Sequence, residues 1–219
     1  RPMQISAAVV NEVGAPFTLA EVDLAAPAAD EVLVKIAGVG ICHTDIAVKE
    51  GHLPFVFPGV LGHEGSGTVV AVGSDVTAVA AGDRVAISFH SCGGCPTCTR
   101  DQPAYCHNFL EYNFGGTRSD GTTGLTAAEG ALGASLLGQS SFATHALAHE
   151  PLVAVGRRDL VQDAEDRLVQ ADVDHLAAAC ALAQVQRGAD RRERVQPGEH
   201  VGGEDAAPVG PVAPFLVGE

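Results

Sequence analysis

The stretch CGGCPTCTRDQPAYC at residues 92–106 contains four cysteines, Cys92, Cys95, Cys98 and Cys106, in the spacing C-x2-C-x2-C-x7-C. Four thiolates on one short loop can surround a tetrahedral zinc ion. Because that shell leaves no open position, such a site would be structural rather than catalytic. Cysteine thiolates at close spacing also hold iron–sulfur clusters, which is the alternative metal interpretation. The spacing therefore predicts a metal-binding loop.

On both sides of this loop, residues 3–149 contain short apolar segments separated by turn residues. Val32–Ile36, Gly67–Val72 and Asp83–Ile87 are rich in β-branched residues and are bounded by turn signals. Many short strands at this spacing are typical of a barrel or a sandwich rather than of a parallel sheet. We therefore predict a mainly β domain over residues 3–149.

Residues 150–219 have a different composition. After residue 150 the chain has no Ile, Lys, Met, Asn, Ser, Thr, Trp or Tyr. The spacing of apolar residues predicts one helix between Leu160 and Arg187, and the Gly/Pro/Ala/Glu mixture after Pro197 is typical of a linker or of disorder. We predict an atypical tail, partly helical or disordered, and hypothesise that it comes from a shifted reading frame or a truncated gene.

The charge balance excludes several classes of partner. The chain has 13 Lys and Arg residues against 27 Asp and Glu residues, which gives a net charge of −14. Nucleic acids and anionic membrane surfaces both require a basic face, so we expect neither as a partner. There is no apolar run of about 20 residues and no signal-peptide pattern, so we expect a cytoplasmic protein. Its six cysteines then favour metal binding over disulfides.

Two further motifs carry metal-binding chemistry. GICHTD at residues 40–45 offers Cys42 as a soft ligand, and Asp45 could orient a ligating histidine. GHEGSGTVVAVG at residues 62–73 places His63 beside a carboxylate. Taken alone, each motif also fits a structural loop, one with a buried thiol and the other with a satisfied histidine.

The order and spacing of the three motifs together resemble those of the zinc-dependent medium-chain alcohol dehydrogenases. NFGGTRSDG at residues 113–121 is most similar to the aryl (benzyl) alcohol dehydrogenase branch. The resemblance covers residues 3–149 and implies a GroES-like β-barrel catalytic domain with a zinc lobe at 90–107. It also implies oxidation of a primary, aromatic alcohol to an aldehyde with NAD(P), so that the small-molecule partner is an alcohol or aldehyde.

The resemblance assigns roles to individual residues. Cys42 and His63 would be ligands of a catalytic zinc, and Glu64 would be a close or alternating ligand. Thr44 would take the proton of the substrate hydroxyl, and His43 would face the pyrophosphate of the cofactor. The four cysteines at 92–106 would hold the structural zinc.

The sequence departs from this family after the barrel. No G-x-G-x-x-G dinucleotide fingerprint occurs in the 219 residues, so we expect no Rossmann domain here. Cys180 is the candidate for a third catalytic thiolate, but its alanine-rich context favours an apolar helix position instead. We expect an alcohol dehydrogenase that is truncated and impaired as written. The alternatives are a non-catalytic zinc-binding barrel and a partner-binding scaffold that reuses the barrel.

Overall fold

The computed structural model describes residues 2–118 and 120–155, and in this part of the chain most regular structure is β. The strands are β1 (Met3–Val10), β2 (Phe17–Leu24), β3 (Glu31–Gly40), β4 (Gly59–Val60), β5 (Glu64–Val72), β6 (Arg84–Ile87), β7 (Leu125–Ala127), β8 (Gly130–Ala131), β9 (His145–His149) and β10 (Val153–Val155). Two short helices, α1 (His43–Lys49) and α2 (Phe109–Phe114), lie in the connections. The prediction of a mainly β fold is confirmed.

The strands form two antiparallel sheets within the described residues. Their orders are β4-β1-β2-β7-β8 and β10-β6-β5-β3-β9. Two of the three predicted strand segments lie within β3 and β5, and the third, Asp83–Ile87, covers β6 and begins one residue before it. In β5 the buried residues alternate with less buried ones, as expected where one face of a strand packs on a core. The second sheet continues through β10, and the boundary placed at residue 149 stays a prediction.

Residues 142–144 join the two sheets. The N–H of Ala8 donates to the carbonyl of Phe142 at 2.8 Å, and the N–H of Thr144 donates to the carbonyl of Ser6 at 3.0 Å. The same segment reaches the other sheet, because the N–H of Ile36 donates to the carbonyl of Thr144 at 2.9 Å. The segment therefore bonds to β1 and to β3, which closes one side of the barrel.

The largest core cluster lies around Phe142, whose side chain is fully buried. Its ring meets that of Phe17 edge to face, with centroids 5.7 Å apart. Val10, Val60 and Leu61 are also fully buried in this cluster. The burial of such side chains contributes about 1.5–3 kcal/mol each. This core supports the loop between β4 and β5, which carries His63.

A buried ion pair fixes the loop between α2 and β7 against β3. Arg118 donates from Nε to Glu31 Oε1 at 2.7 Å and from Nη2 to Oε2 at 2.9 Å. Only 4% of the Glu31 side chain and 12% of the Arg118 side chain are exposed.

Among the described residues no helix is both long enough and apolar enough to span a bilayer. The predicted helix at 160–187 and Cys180 lie outside the described residues.

Candidate metal centres

The four cysteines of the lobe converge, and their Sγ atoms all lie within 4.8 Å of one another. Cys92 Sγ and Cys98 Sγ are 3.9 Å apart. Two thiolates at tetrahedral positions on one zinc ion would be separated by about 3.8 Å, given zinc–sulfur bonds of about 2.3 Å. The donor type, number and spacing therefore fit a tetrahedral zinc ion.

Local backbone structure brings these thiols together. The N–H of Cys95 donates to Cys92 Sγ, and the N–H of Cys92 donates to Cys106 Sγ, both at 3.3 Å. Gly93 has a φ of +68°, which favours glycine and lets the chain turn back between the first two cysteines. Short 3-10 turns at Cys98–Arg100 and Pro103–Tyr105 complete the loop.

The pKa values of the thiols in the lobe differ from one another because their surroundings differ. Hydrogen bonds from Thr97 and from the backbone of His107 and Cys98 lower the pKa of Cys95 to about 5. Loss of solvent contact and the neighbouring Cys95 raise the pKa of Cys98 to about 12. Without a cation, the high pKa of Cys98 therefore keeps this thiol protonated at neutral pH. A divalent cation would offset the repulsion between thiolates and displace the remaining protons.

A second group of donor atoms comes from Cys42, His63 and Glu64, which also lie within 4.8 Å of one another. Cys42 Sγ is 3.1 Å from His63 Nε2, and Glu64 Oε1 is 3.9 Å from the same nitrogen. A thiol, an imidazole and a carboxylate form a donor set typical of zinc. The side chain of Glu64 is 48% exposed, so solvent reaches this group.

Asp45 holds the two loops of this centre together. Its carboxylate is fully buried and accepts hydrogen bonds from the backbone N–H of Cys42, the N–H of Gly62 and His63 Nδ1, each at 3.1 Å. Because Nδ1 is engaged, Nε2 faces Cys42 and Glu64.

The same contacts set the proton affinity of His63. Burial lowers the pKa of His63, but the hydrogen bond and charge of Asp45, with a contribution from Cys42, outweigh it and raise the pKa to about 9. The imidazole of the metal-free chain therefore carries a proton at neutral pH. A metal ion bound at Nε2 would replace that proton.

Two glycines make the close approach possible. Gly62 has a φ of +93°, and a side chain there would lie 2.5 Å from the ring and backbone of Phe142. Gly40 pairs with Glu64 across β3 and β5, and a side chain at this position would overlap the Glu64 carboxylate. The absence of a side chain at Gly40 and Gly62 thus provides the space that the donor groups and their loop occupy.

The remaining predicted residues lie beside this centre. His43 is exposed at the first position of α1, and Thr44 follows it half-buried, with its N–H donating to Cys42 Sγ at 3.2 Å. A further residue beside this centre, Gln139, is not among the predicted ones; its buried side chain contacts the backbone of His63 and Gly65. No motif surrounds Gln139, so only the fold shows this contact.

Comparison with known proteins identifies the family. The domain family described as the alcohol dehydrogenase GroES-like domain matches residues 28–155, more than half of the chain. The chain belongs to the alcohol dehydrogenase GroES-like family. This confirms the resemblance and the GroES-like fold class predicted from the sequence.

Individual relatives agree with this assignment. The GroES-like chain is 49% identical over 145 residues to a geraniol dehydrogenase of Castellaniella defragrans, an alignment that covers 66% of this chain and 39% of the relative. It is 38% identical over 159 residues to an alcohol dehydrogenase class-3 of Cereibacter sphaeroides, which covers 72% of this chain and 42% of the relative. The chain thus spans about two fifths of the length of these relatives.

Solved structures give the same result. An alcohol dehydrogenase zinc-binding domain protein from Burkholderia ambifaria is 42% identical, with a TM-score of 0.71 over 73% of this chain and 43% of that one. A benzyl alcohol dehydrogenase from Acinetobacter calcoaceticus is 41% identical, with a TM-score of 0.68 over 72% of this chain and 42% of that one. The GroES-like domain therefore resembles the corresponding part of zinc-binding alcohol dehydrogenases.

Proposed function

We propose that this chain carries the catalytic domain, residues 3–149, of a zinc-dependent alcohol dehydrogenase that oxidises a primary alcohol to an aldehyde with NAD(P). Cys42, His63 and Glu64 would hold the catalytic zinc, and the cysteine lobe would hold the structural zinc. The observation that carries the proposal is the convergence of the first three donor groups, with Asp45 orienting the imidazole from behind. A family match over residues 28–155 supports it.

The chain's own residues would supply binding, orientation and proton movement. A zinc ion bound at this centre acts as a Lewis acid and lowers the pKa of a hydroxyl group that coordinates it. Asp45 keeps His63 in the tautomer that offers Nε2. Thr44, two residues after the thiol ligand in sequence, would take the proton of the substrate hydroxyl, and the exposed His43 would contact the pyrophosphate of the cofactor.

The relatives suggest a narrower substrate class. Two of them are named for geraniol and for benzyl alcohol, and in both molecules the hydroxymethyl group is attached to an sp2 carbon. We propose that this chain's substrates are primary alcohols of that kind, aromatic ones included.

Zinc content of the purified chain tests the proposal. We expect two zinc ions per chain, one of which is lost in Cys42→Ser. As a matched control, Cys180→Ser changes a thiol to which we assign no zinc, and it should keep both ions. A wild-type chain with one zinc ion, unchanged in Cys42→Ser, would contradict the proposal and favour a non-catalytic zinc-binding barrel.

Cofactor binding and turnover test the remaining parts. NADH and NADPH titrations show which nucleotide the chain takes. Benzyl alcohol and geraniol oxidation, compared with that of a saturated primary alcohol, tests the substrate class. The weak activity expected from the missing dinucleotide fingerprint stays a prediction, and strong turnover that Cys42→Ser abolishes would overturn it.

A further inference from the structure

A segment far along the chain bonds to the backbone of the metal-binding loop. Residues 139–142 donate a hydrogen bond to each backbone carbonyl from Val60 to His63. The bonds are Ser140 Oγ to Val60 O at 2.6 Å, Phe142 N to Leu61 O at 3.0 Å, Ser141 N to Gly62 O at 2.9 Å and Gln139 Nε2 to His63 O at 2.8 Å. The loop that carries His63 is therefore fixed along its length by residues that carry no metal donor.

Gln139 differs from its neighbours because its side chain bonds on both sides of Glu64. Its Nε2 donates to the carbonyl of His63, and its Oε1 accepts from the N–H of Gly65 at 2.9 Å. The residue is only 3% exposed. A primary amide supplies the donor and the acceptor at once, which neither a carboxylate nor a hydrocarbon side chain can do.

The packing around Gly65 shows how closely this amide approaches the strand. A side chain at Gly65 would lie 2.7 Å from Ser141 Cβ and 2.8 Å from Gln139 Oε1. Glycine is therefore required after Glu64 in the motif, because any larger residue there would clash with Gln139 and Ser141.

We infer that Gln139 is a positioning residue for Glu64, an inference that rests on the proposed function. Asp45 already fixes Cys42 and the His63 ring, whereas no contact with Asp45 reaches Glu64. The Glu64 side chain is 48% exposed, so its direction depends on the two peptide groups that flank it. Gln139 holds both of these groups, which keeps the carboxylate facing His63 Nε2.

Removing this amide would free the strand on both sides of Glu64, and it would also remove the longer contacts of Nε2 with the carbonyls of Ile87 and Ser88, at 3.3 and 3.4 Å. The carbonyl of His63 would lose its amide donor and the buried N–H of Gly65 would lose its acceptor. A buried polar group without a partner is costly enough to drive local rearrangement. The peptides on either side of Glu64 would then rotate, and its carboxylate would leave the donor group while Cys42 and His63 stay in place. Gln139 would thus control one ligand and not the whole centre.

Ser140 supplies a matched control for an ordinary structural role. It lies in the same segment, it is equally buried, and its hydroxyl also donates to a carbonyl of the loop. That carbonyl belongs to Val60, which lies away from Glu64 in the sequence. Ser140→Ala should therefore lower the stability of the domain without changing the metal centre.

Co²⁺ binding to the full chain tests the inference without any measurement of activity. The difference between the visible spectra of wild-type and Cys42→Ser protein isolates the signal of the Cys42 centre from that of the cysteine lobe. In Gln139→Met we expect the d–d bands of this signal to shift and the Co²⁺ affinity to fall by about 10-fold or more, as for other outer partners of metal ligands. Ser140→Ala should stay within about 2-fold of wild type and keep its spectrum.

Further variants decide the remaining outcomes. Gln139→Glu keeps the acceptor for Gly65 but loses the amide donor, so its d–d bands should shift as in Gln139→Met. This variant tests the inference if Gln139→Met does not fold. In a Glu64→Gln background, Gln139→Met should have little further effect, because coupled residues are not additive.

The inference, but not the proposed function, would be overturned if the Gln139 and Ser140 variants had the same Co²⁺ spectra and affinities. It would also be overturned if Gln139→Met had its full effect in the Glu64→Gln background. A wild-type spectrum that Cys42→Ser leaves unchanged would overturn the proposed function and the inference with it.

Discussion

Replacing Asp45 with asparagine should weaken both the fold and the metal centre. The Asp45 carboxylate is fully buried and accepts three N–H groups. An asparagine oxygen can still accept from Gly62 and His63, but its NH₂ group then meets the N–H of Cys42. In the variant, the new NH₂ group and the N–H of Cys42 are therefore two donors that face each other in a buried site, and neither has an acceptor there.

The expected loss follows from these contacts. A buried N–H without an acceptor costs about 1–3 kcal/mol, and converting two charge-assisted hydrogen bonds to neutral ones loses roughly 0.5–1.5 kcal/mol each. We therefore expect Asp45→Asn to lower the free energy of unfolding of the metal-free chain by about 2–6 kcal/mol. Zinc affinity of the Cys42 centre should fall by about 10- to 100-fold, because the imidazole loses its orienting carboxylate.

Urea unfolding followed by circular dichroism measures the first quantity, and competition with a chromophoric chelator measures the second. Asp83→Asn is the matched control, because Asp83 accepts the N–H of Ala80 in an exposed turn and lies in neither metal-binding motif. Its effect on stability should stay within about 0.5 kcal/mol, with unchanged zinc affinity. An Asp45→Asn chain with both properties close to those of the control would refute the role of this carboxylate as an anchor.

Three further substitutions test other parts of the molecule. Cys95→Ser should release one zinc ion per chain and make the lobe more sensitive to protease, because the remaining three thiolates no longer close the shell; unchanged zinc content would contradict this. Arg118→Met should destabilise the chain by about 3–5 kcal/mol, because it leaves the Glu31 carboxylate buried without its cation, and adding Glu31→Gln should recover much of that loss; equal losses in the single and double variants would refute the reasoning. Burial and the nearby Lys35 lower the pKa of His145 from its ordinary 6.5, so the unfolded chain binds more protons there than the folded chain and stability should fall as the pH drops below 6.5. In His145→Gln this part of the pH dependence, measured by thermal unfolding, should be absent.

The features that the sequence predicts are those that depend on neighbours in the chain. The spacing of the four lobe cysteines indicates one site because a 15-residue loop has few ways to arrange them. The strand at Gly67–Val72 could be predicted from its β-branched residues and the turns around it. Only the family resemblance predicts that Cys42 and His63 belong to one site, because no local sequence pattern links two residues in separate loops.

The features that escaped prediction depend on register between distant segments. Gln139 contacts the carbonyl of His63 across 76 positions of sequence, and Arg118 reaches Glu31 across 87. A glutamine or an arginine is common on any surface. Its role appears only when strand pairing and barrel closure have placed it, and those depend on the whole core and not on a local pattern.

The two metal centres also differ in how much of the chain must exist before each can form. The lobe needs contacts over 14 positions, from Cys92 to Cys106, whereas the bond between Gln139 and His63 spans 76. Loop-closure entropy makes the longer connection costlier by roughly 1.5 kcal/mol. During synthesis the cysteine lobe therefore has all four of its thiols once Cys106 leaves the ribosome, whereas the loop that carries His63 lacks its bonds to residues 139–142 until those residues follow. If both centres hold zinc as proposed, we expect the lobe to bind its ion before Gln139 fixes the position of Glu64 in the Cys42 centre.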